Sequence, residues 1–470
     1  MAHSASARLR FEPPICLMET TGGPSGKIQA ISPLLAAAKI SLLESGQSSV
    51  PDWEWIDRPR RLMDGYNRRR ATSDLFAILK SAHRLRDTID RVVVVGTTAD
   101  LAAAQALMGA CADPYFNDLD RGGRGSRARL HFVGDDLDND RLQALLRLLG
   151  EGRPAVTLDQ RWALVAVLPR QPNLNIALAI RHLLAALWKS TGGDRTKIGE
   201  RFIPVGGPSL ALPQADWERG QAGCASHWAT QFGCVDAFPA CPAEPCGPFA
   251  ALAAPSLLPA ALLGIDIVRL LTGAVAFTDQ FVAAPIGANP ALDFAAAAIL
   301  LADSFNGARS ATGAGAEATD PPPPSPTVPS DGPPAFFELP RPLSLWAQSL
   351  QQPARWWETL FAASRRCGFV THIMAEEWRS DPLGAVDGDF PDRPPVSLTN
   401  RTFPELMLGA AERAFAADRL SGRPVAILRF PRVDEWSLGQ FFQMMMIAVA
   451  VEQRVLDSLQ NSPAQLARNP

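Results

Sequence analysis

The stretch from Arg91 to Leu107, RVVVVGTTADLAAAQAL, constrains the fold more than any other. Four consecutive valines suit a strand buried on both faces, as in a parallel sheet. Leu101, Ala102, Ala103, Ala104, Ala106 and Leu107 then favour a packed helix. Gly96 between them lets the chain turn sharply. In open α/β sheets ligands collect outside the carboxyl ends of the strands, where the free N–H groups opening the next helix suit an anion. Gly96 and Asp100 are therefore candidate binding residues. Asp100 also argues the other way, because a carboxylate opening the helix caps those N–H groups itself and repels a second anion. The turn is read either as purely structural or as a ligand loop.

The pattern repeats. Trp162 to Leu168 (WALVAVL) reads as a second buried strand, leading through PRQPNLN into a helix from Ile176 to Leu187. With a strand at Phe202 to Val205, these units predict a mainly parallel sheet flanked by helices. The turn Pro169 to Asn175 is the next place for an anion, but its two prolines remove N–H donors and it offers no Ser or Thr hydroxyl. Arg170, as an ion partner, and Asn173 are its candidate binding residues. Around these units a helix is predicted over Leu75 to Ile89, a strand over Leu130 to Val133 and an amphipathic helix over Asp138 to Leu149.

A chain of 470 residues exceeds what one core usually organises, so two α/β domains are predicted. Residues 1–50 read as a surface-hugging extension with one apolar helical patch, Leu34 to Leu43. A first domain then covers 51–275 and a second 276–470. Within the second, 308–334 shifts to Gly, Ala, Thr, Ser and Pro, including Pro321 to Pro324, and reads as a disordered or polyproline loop. Beyond it a helix over Trp346 to Ala363 and a strand over Phe369 to Met374 are predicted. Phe403 to Phe415, Val425 to Phe430 and a long helix from Leu438 to Leu459 suggest a further unit, with Met444, Met445 and Met446 in the core.

Composition excludes several function classes. A net charge of -3 gives no electrostatic footprint for nucleic acid. The one dense basic cluster, Arg58 to Arg70, contains Asp64 and reads as a solvated helix face. The N-terminal segment lacks an uninterrupted apolar run, which predicts a cytoplasmic protein without a secretory leader. The apolar tract Phe249 to Phe277 is broken by Pro255, Pro259, Gly264, Asp266 and Arg269, and reads as a buried core helix with no membrane partner. Seven cysteines in a long chain form no disulfide framework. Cys224, Cys234, Cys241 and Cys246, with His227 among them, are spaced more loosely than paired zinc ligands, so no metal is expected.

Four segments resemble the phosphoglucose isomerase family of aldose-ketose isomerases, built from two sugar-isomerase domains. They are Asn117 to Leu146, Cys246 to Ala274, Arg355 to Ser364 (RWWETLFAAS) and Val433 to Leu456. The likeness runs in the family's order from about residue 75 to the end. It implies two sugar-isomerase-type α/β domains, a homodimer, no cofactor, and interconversion of glucose 6-phosphate and fructose 6-phosphate in glycolysis and gluconeogenesis. In such a reaction a glutamate shuttles a proton through an enediol while an arginine steadies the charge on oxygen.

At the positions the resemblance assigns to chemistry, this chain carries other residues. The family's G-I-G-G-S loop stands as Gly96-Thr97-Thr98-Ala99-Asp100, and its hydroxyl-rich phosphate loop falls on Leu168 to Ile176. The arginine of G-G-R-[YF]-S falls on Pro248, the catalytic glutamate of A-E-S on Ala363, and the ring-opening histidine near Arg379. The C-terminal lysine falls near Arg468 to Pro470. Glu358, and the cluster of His372, Glu376 and Glu377, are the alternative acids and bases, the latter expected as solvated loop residues. Two readings follow. One is a degenerate member with weak or no isomerase activity, keeping a scaffold or sugar-phosphate-binding role. The other is a working sugar-phosphate isomerase with relocated catalytic groups.

Overall fold

The valine run forms the second strand of a five-stranded sheet in the computed structural model. The structure describes residues 8–18, 25–44, 54–136, 138–169, 173–206, 225–239, 247–301, 343–361, 369–378, 380–384 and 401–461. The first part of the chain runs β1 (Arg10–Glu12), α1 (Gly26–Glu44), α2 (Glu54–Arg68), α3 (Asp74–Thr88), β2 (Arg91–Val95), α4 (Thr98–Cys111), β3 (Arg129–Val133) and α5 (Asn139–Leu148). It continues through β4 (Trp162–Val167), α6 (Leu174–Ser190), α7 (Arg195–Arg201), β5 (Phe202–Gly206), α8 (Ala225–Phe232) and β6 (Phe238–Pro239). After a 3-10 turn at Gly247–Ala250 come α9 (Ala254–Leu263), α10 (Ile267–Ala283) and α11 (Pro290–Leu300). The last part holds β7 (Leu343–Leu345), α12 (Gln351–Leu360), β8 (Val370–Glu377), α13 (Phe403–Leu420), β9 (Val425–Arg432) and α14 (Glu435–Asn461).

The first sheet has the order β3-β2-β4-β5-β6 and is parallel throughout. Its valines explain themselves by alternation: Val92 and Val94 enter the large core with α3, α4 and α9, whereas Val93 and Val95 enter a second core with α6, α7 and α8. The second sheet has the order β1-β9-β8-β7, with β1 antiparallel and the rest parallel. One contiguous core joins the two sheets through α10, α11, α12 and α14, and Met444, Met445 and Met446 are fully buried in it, as expected.

Four expectations are corrected. The segment read as a surface extension is built into the molecule, because β1 pairs with β9, Leu9 and Phe11 are buried, and Leu35 and Leu42 of α1 sit in the main core. Phe249 to Phe277 is not one helix. Gly264, at φ +76°, stops α9, and Asp266 opens α10 by accepting from the amides of Val268 and Arg269. The span Trp346 to Ala363 starts just after the strand β7 and opens with a bend and a 3-10 turn at Gln348–Leu350, so the α-helix within it is α12 alone among the described residues. The face read as solvated at Arg58 to Arg70 is corrected at Arg58, which is buried, whereas Arg60, Arg61, Arg68, Arg69 and Arg70 are exposed as expected, Arg60 beside Asp279 of α10. The Pro-rich loop expected at 308–334 lies outside the described residues, and among the described residues no helix is long and apolar enough to cross a membrane.

Candidate functional site

From β2 the chain passes to β3 on one side and then crosses to β4 on the other, which makes the carboxyl ends of β2 and β4 the topological switch point of the first sheet. Gly96 lies there. A Cβ on it would stand 3.0 Å from Val167 Cβ and 3.1 Å from Leu101 Cδ2, so glycine allows both strands and the opening of α4 to converge.

The groups that a phosphate would use are engaged by the chain itself. Thr97, not Asp100, caps α4: its hydroxyl accepts from the Asp100 amide at 3.2 Å and donates to the Asp100 carboxylate at 2.7 Å. The expectation that Asp100 caps the helix is thus corrected, since it stands one turn in and the shorter threonine reaches the amide. Past the end of β3, Asp135 Oδ1 accepts from the Thr98 amide at 3.1 Å and from the Thr98 hydroxyl at 2.7 Å. A carboxylate therefore sits where the helix opening would seat an anion. Asn173 caps α6 through the Ile176 amide at 3.1 Å and also hydrogen-bonds Asp135, while Asn175 donates to the Asp135 carbonyl at 2.7 Å.

The two carboxyl groups are driven apart. Burial raises Asp100 above the ordinary carboxylate range, against hydrogen bonds from Thr97 and the Gly247 amide, and the negative charge of Asp135 adds to the rise. Burial also pushes Asp135 up, but hydrogen bonds from the Thr98 hydroxyl and amide and from Asn173 outweigh it and hold the carboxyl below its ordinary value. Among the described residues no arginine or lysine forms an ion pair with either.

Of the predicted site residues, Gly96, Asp100 and Asn173 come together at this switch point, and Arg170 lies outside the described residues. Pro248 belongs to the 3-10 turn beside α4, and its carbonyl accepts from Trp356 Nε1 of α12 at 3.0 Å, an anchoring contact. Ala363, Arg379 and Arg468 to Pro470 lie outside the described residues. Asp135 and Thr98 were missed. The signal was available in Gly134-Asp135-Asp136, which ends a short strand at the sheet's carboxyl edge.

The alternative acid/base cluster does not assemble. His372 is fully buried on β8, where Nδ1 accepts from Trp346 Nε1 at 3.0 Å and Nε2 lies 3.0 Å from Asp418 Oδ2. It is therefore a packed histidine rather than the solvated loop residue expected. Glu376 pairs with Arg10 of β1 instead, and Glu377 is exposed. Glu358 is half-buried on α12, and burial raises its carboxyl while Arg355 opposes the rise. Cys224, Cys241 and Cys246 lie outside the described residues. Burial, and next the charge of Asp236, push the Cys234 thiol up to about 12, which keeps it protonated. No three metal-ligating side chains gather among the described residues.

No family model matches the chain. The glucose-6-phosphate isomerase of Pediococcus pentosaceus is 24% identical over 272 residues, 57% of this chain. That match spans about half of the relative's length, 53%. Among solved structures, a hypothetical protein from Thermus thermophilus superposes with a TM-score of 0.65 at 17% identity, covering 98% of this chain and 99% of that one. A glucose-6-phosphate isomerase from Chlamydia trachomatis superposes with a TM-score of 0.57 at 13% identity, over 94% and 87% of the two chains. The chain shares with that isomerase structure an architecture of mainly parallel sheets flanked by helices.

Proposed function

We propose that this chain is a sugar-isomerase scaffold with an assembly role, which neither seats sugar phosphates at its switch point nor turns them over. One observation carries the reading: Asp135 occupies the opening of α4 through the amide and hydroxyl of Thr98, with Asp100 behind it. A phosphate brought there would meet two carboxyl groups and find the Thr98 amide taken, at a cost that the remaining amides do not offset. Pro248 and Ala363, standing where the resemblance assigns a cation and a base, agree with it. Losing both would remove the steps that make aldose-ketose exchange fast.

A second reading draws on the same pair. Asp100 with a raised carboxyl beside a lowered Asp135 is the kind of split that suits an acid and a base, and it would serve an isomerase with relocated groups. Fold alone does not decide between them.

The test is to mix the purified protein with fructose 6-phosphate and follow aldose formation through a coupled dehydrogenase, while recording melting temperature with millimolar glucose 6-phosphate and fructose 6-phosphate. The scaffold reading expects no turnover above the protein-free blank. It also expects no rise in melting temperature for the parent, and a rise for the doubly neutral variant D100N/D135N. Turnover that D100N abolishes would establish the second reading and overturn the first.

A further inference from the structure

β3 is an edge strand, and its outer side is only partly covered. The Arg129 amide donates to the Asp90 carbonyl, and the Val133 carbonyl accepts from Gly96, so Arg129, His131 and Val133 turn their peptide groups toward β2. By the alternation of a ladder, Leu130 and Phe132 turn theirs outward. At Leu130 the outward groups are satisfied by a side chain imitating a strand: Asn117 Nδ2 donates to the Leu130 carbonyl at 2.8 Å, and Asn117 Oδ1 accepts from the Leu130 amide at 3.1 Å. At Phe132, one step along, no described residue plays that part.

A cleft of about 510 Å³ runs along this edge. Gln105 of α4 forms one wall, Leu142 and Leu145 of α5 with Leu178 and His182 of α6 form the other, and Leu130 to Val133 form the floor. His131 Nε2, buried and without a hydrogen-bond partner among the described residues, borders the same space. Its mouth is acidic: Asp136 and Asp138 line it, Asp135 and Asp140 stand beside them in the run Gly134 to Asp140, and Asp136 pairs with Arg141 at 2.8 Å.

We propose that this edge binds an extended, basic peptide segment of a partner protein, which adds a strand outside β3 by pairing with the Phe132 amide and carbonyl. An extended backbone is the chemistry that supplies an acceptor and a donor at strand spacing, and alternate side chains would drop between the leucines of α5 and α6. Basic residues meet the aspartates at the mouth. A second copy of this chain is the poorer occupant, because pairing β3 with β3 would bring two acidic runs together. Strand addition here is independent of what the switch point binds, and it is tested without any sugar phosphate.

The probe is an acetylated, amidated hexapeptide of alternating lysine and valine, with an alternating glutamate and valine peptide and a lysine and valine peptide N-methylated at alternate residues as comparisons. Binding to the full chain is read by fluorescence anisotropy and located by amide hydrogen exchange. The expected result is binding of the lysine peptide with slowed exchange at the Phe132 amide. The N-methylated and glutamate peptides should bind at least tenfold more weakly. D136K/D140N, both on the surface and leaving the Asp138 cap of α5 in place, should weaken the lysine peptide several-fold while leaving the circular dichroism spectrum unchanged. No binding at millimolar peptide, binding indifferent to N-methylation, or protection elsewhere than residues 130–134 would each overturn the proposal. So would concentration-dependent dimerisation that itself protects Phe132.

Discussion

Asp90, at the foot of β2, carries three guanidinium groups on one carboxylate. Arg124 Nη2 reaches Oδ1 at 2.6 Å, Arg121 Nη1 reaches it at 3.3 Å, and Arg129 holds Oδ2. The arginines use other N–H groups on carbonyls, Arg124 Nε on Arg127 at 3.1 Å and Arg129 Nε on Asn117 at 2.8 Å, so one buried aspartate pins the whole loop ahead of β3. Because Arg124 and Asp90 are almost wholly buried, D90A would strand the guanidinium groups and is expected to cost about 3–5 kcal/mol in urea denaturation. A loss below about 1 kcal/mol would refute that role. Asp293 is a second buried carboxyl. Burial lifts its carboxyl to about 6 from 3.8, against hydrogen bonds from the Gly287 and Asn289 backbone, so between those values the folded chain keeps a proton that the unfolded chain has released. The stability tied to that proton is present below the unfolded value and is lost as pH rises through the folded one. D293N keeps an acceptor for the Gly287 amide, now at 2.7 Å, but carries no charge. It is expected to exceed the parent by roughly 1–3 kcal/mol at pH 7.5 and to match it near pH 3, which urea melts at the two pH values would read. An equal shift at both would show that ionisation is not the cause.

Helices α10 and α14 approach each other backbone to backbone through two glycines. A Cβ on Gly273 would collide with the Trp436 carbonyl, and one on Gly439 with the Leu270 carbonyl. Neither obstacle is a flexible side chain, so G273A or G439A forces the helices apart and is expected to cost at least about 1–3 kcal/mol despite the better helix propensity of alanine. Unchanged melting temperatures would sink this account of the crossing. Glycines of this kind show why some elements were legible in the sequence and others were not. The valine strand, WALVAVL and the long methionine helix announce themselves because burial on every side demands an apolar run, and all three stand where their patterns place them. The break at Gly264 and the strand at Leu343–Leu345 depend on a left-handed residue and on a neighbouring strand, neither of which hydrophobic period records. The site divides likewise. The turn at Gly96 was legible because a strand-to-helix turn at a switch point needs a small residue, whereas Asn173, read as a binding residue, caps α6 in the structure. Asp135 was not, because its seat on Thr98 exists only once β3 lies beside β2.

At the scale of the molecule, the arrangement of the core bears on how the two sheets lose their structure. Alternating residues of β2 and β4 and of β8 and β9 drain into the same apolar cluster, with α14 running through it. Phe441 of α14 is fully buried, and its ring lies 5.6 Å from Trp356, 6.1 Å from Trp357 and 5.2 Å from Phe430 of β9. Gln443, further along the same helix, donates at 3.0 Å to both the Ile56 carbonyl and the Thr278 hydroxyl, tying α14 to α2 and α10. A sheet that melted alone would have to expose these shared surfaces while its neighbour kept them dry, and apolar burial opposes that separation. We therefore expect one urea transition, superimposable by far-ultraviolet circular dichroism and tryptophan fluorescence. F441A should move the whole transition by about 3–5 kcal/mol, because the cavity opens at the joint between the sheets. Two resolved transitions, or an F441A shift confined to one probe, would mean that the sheets hold independent cores.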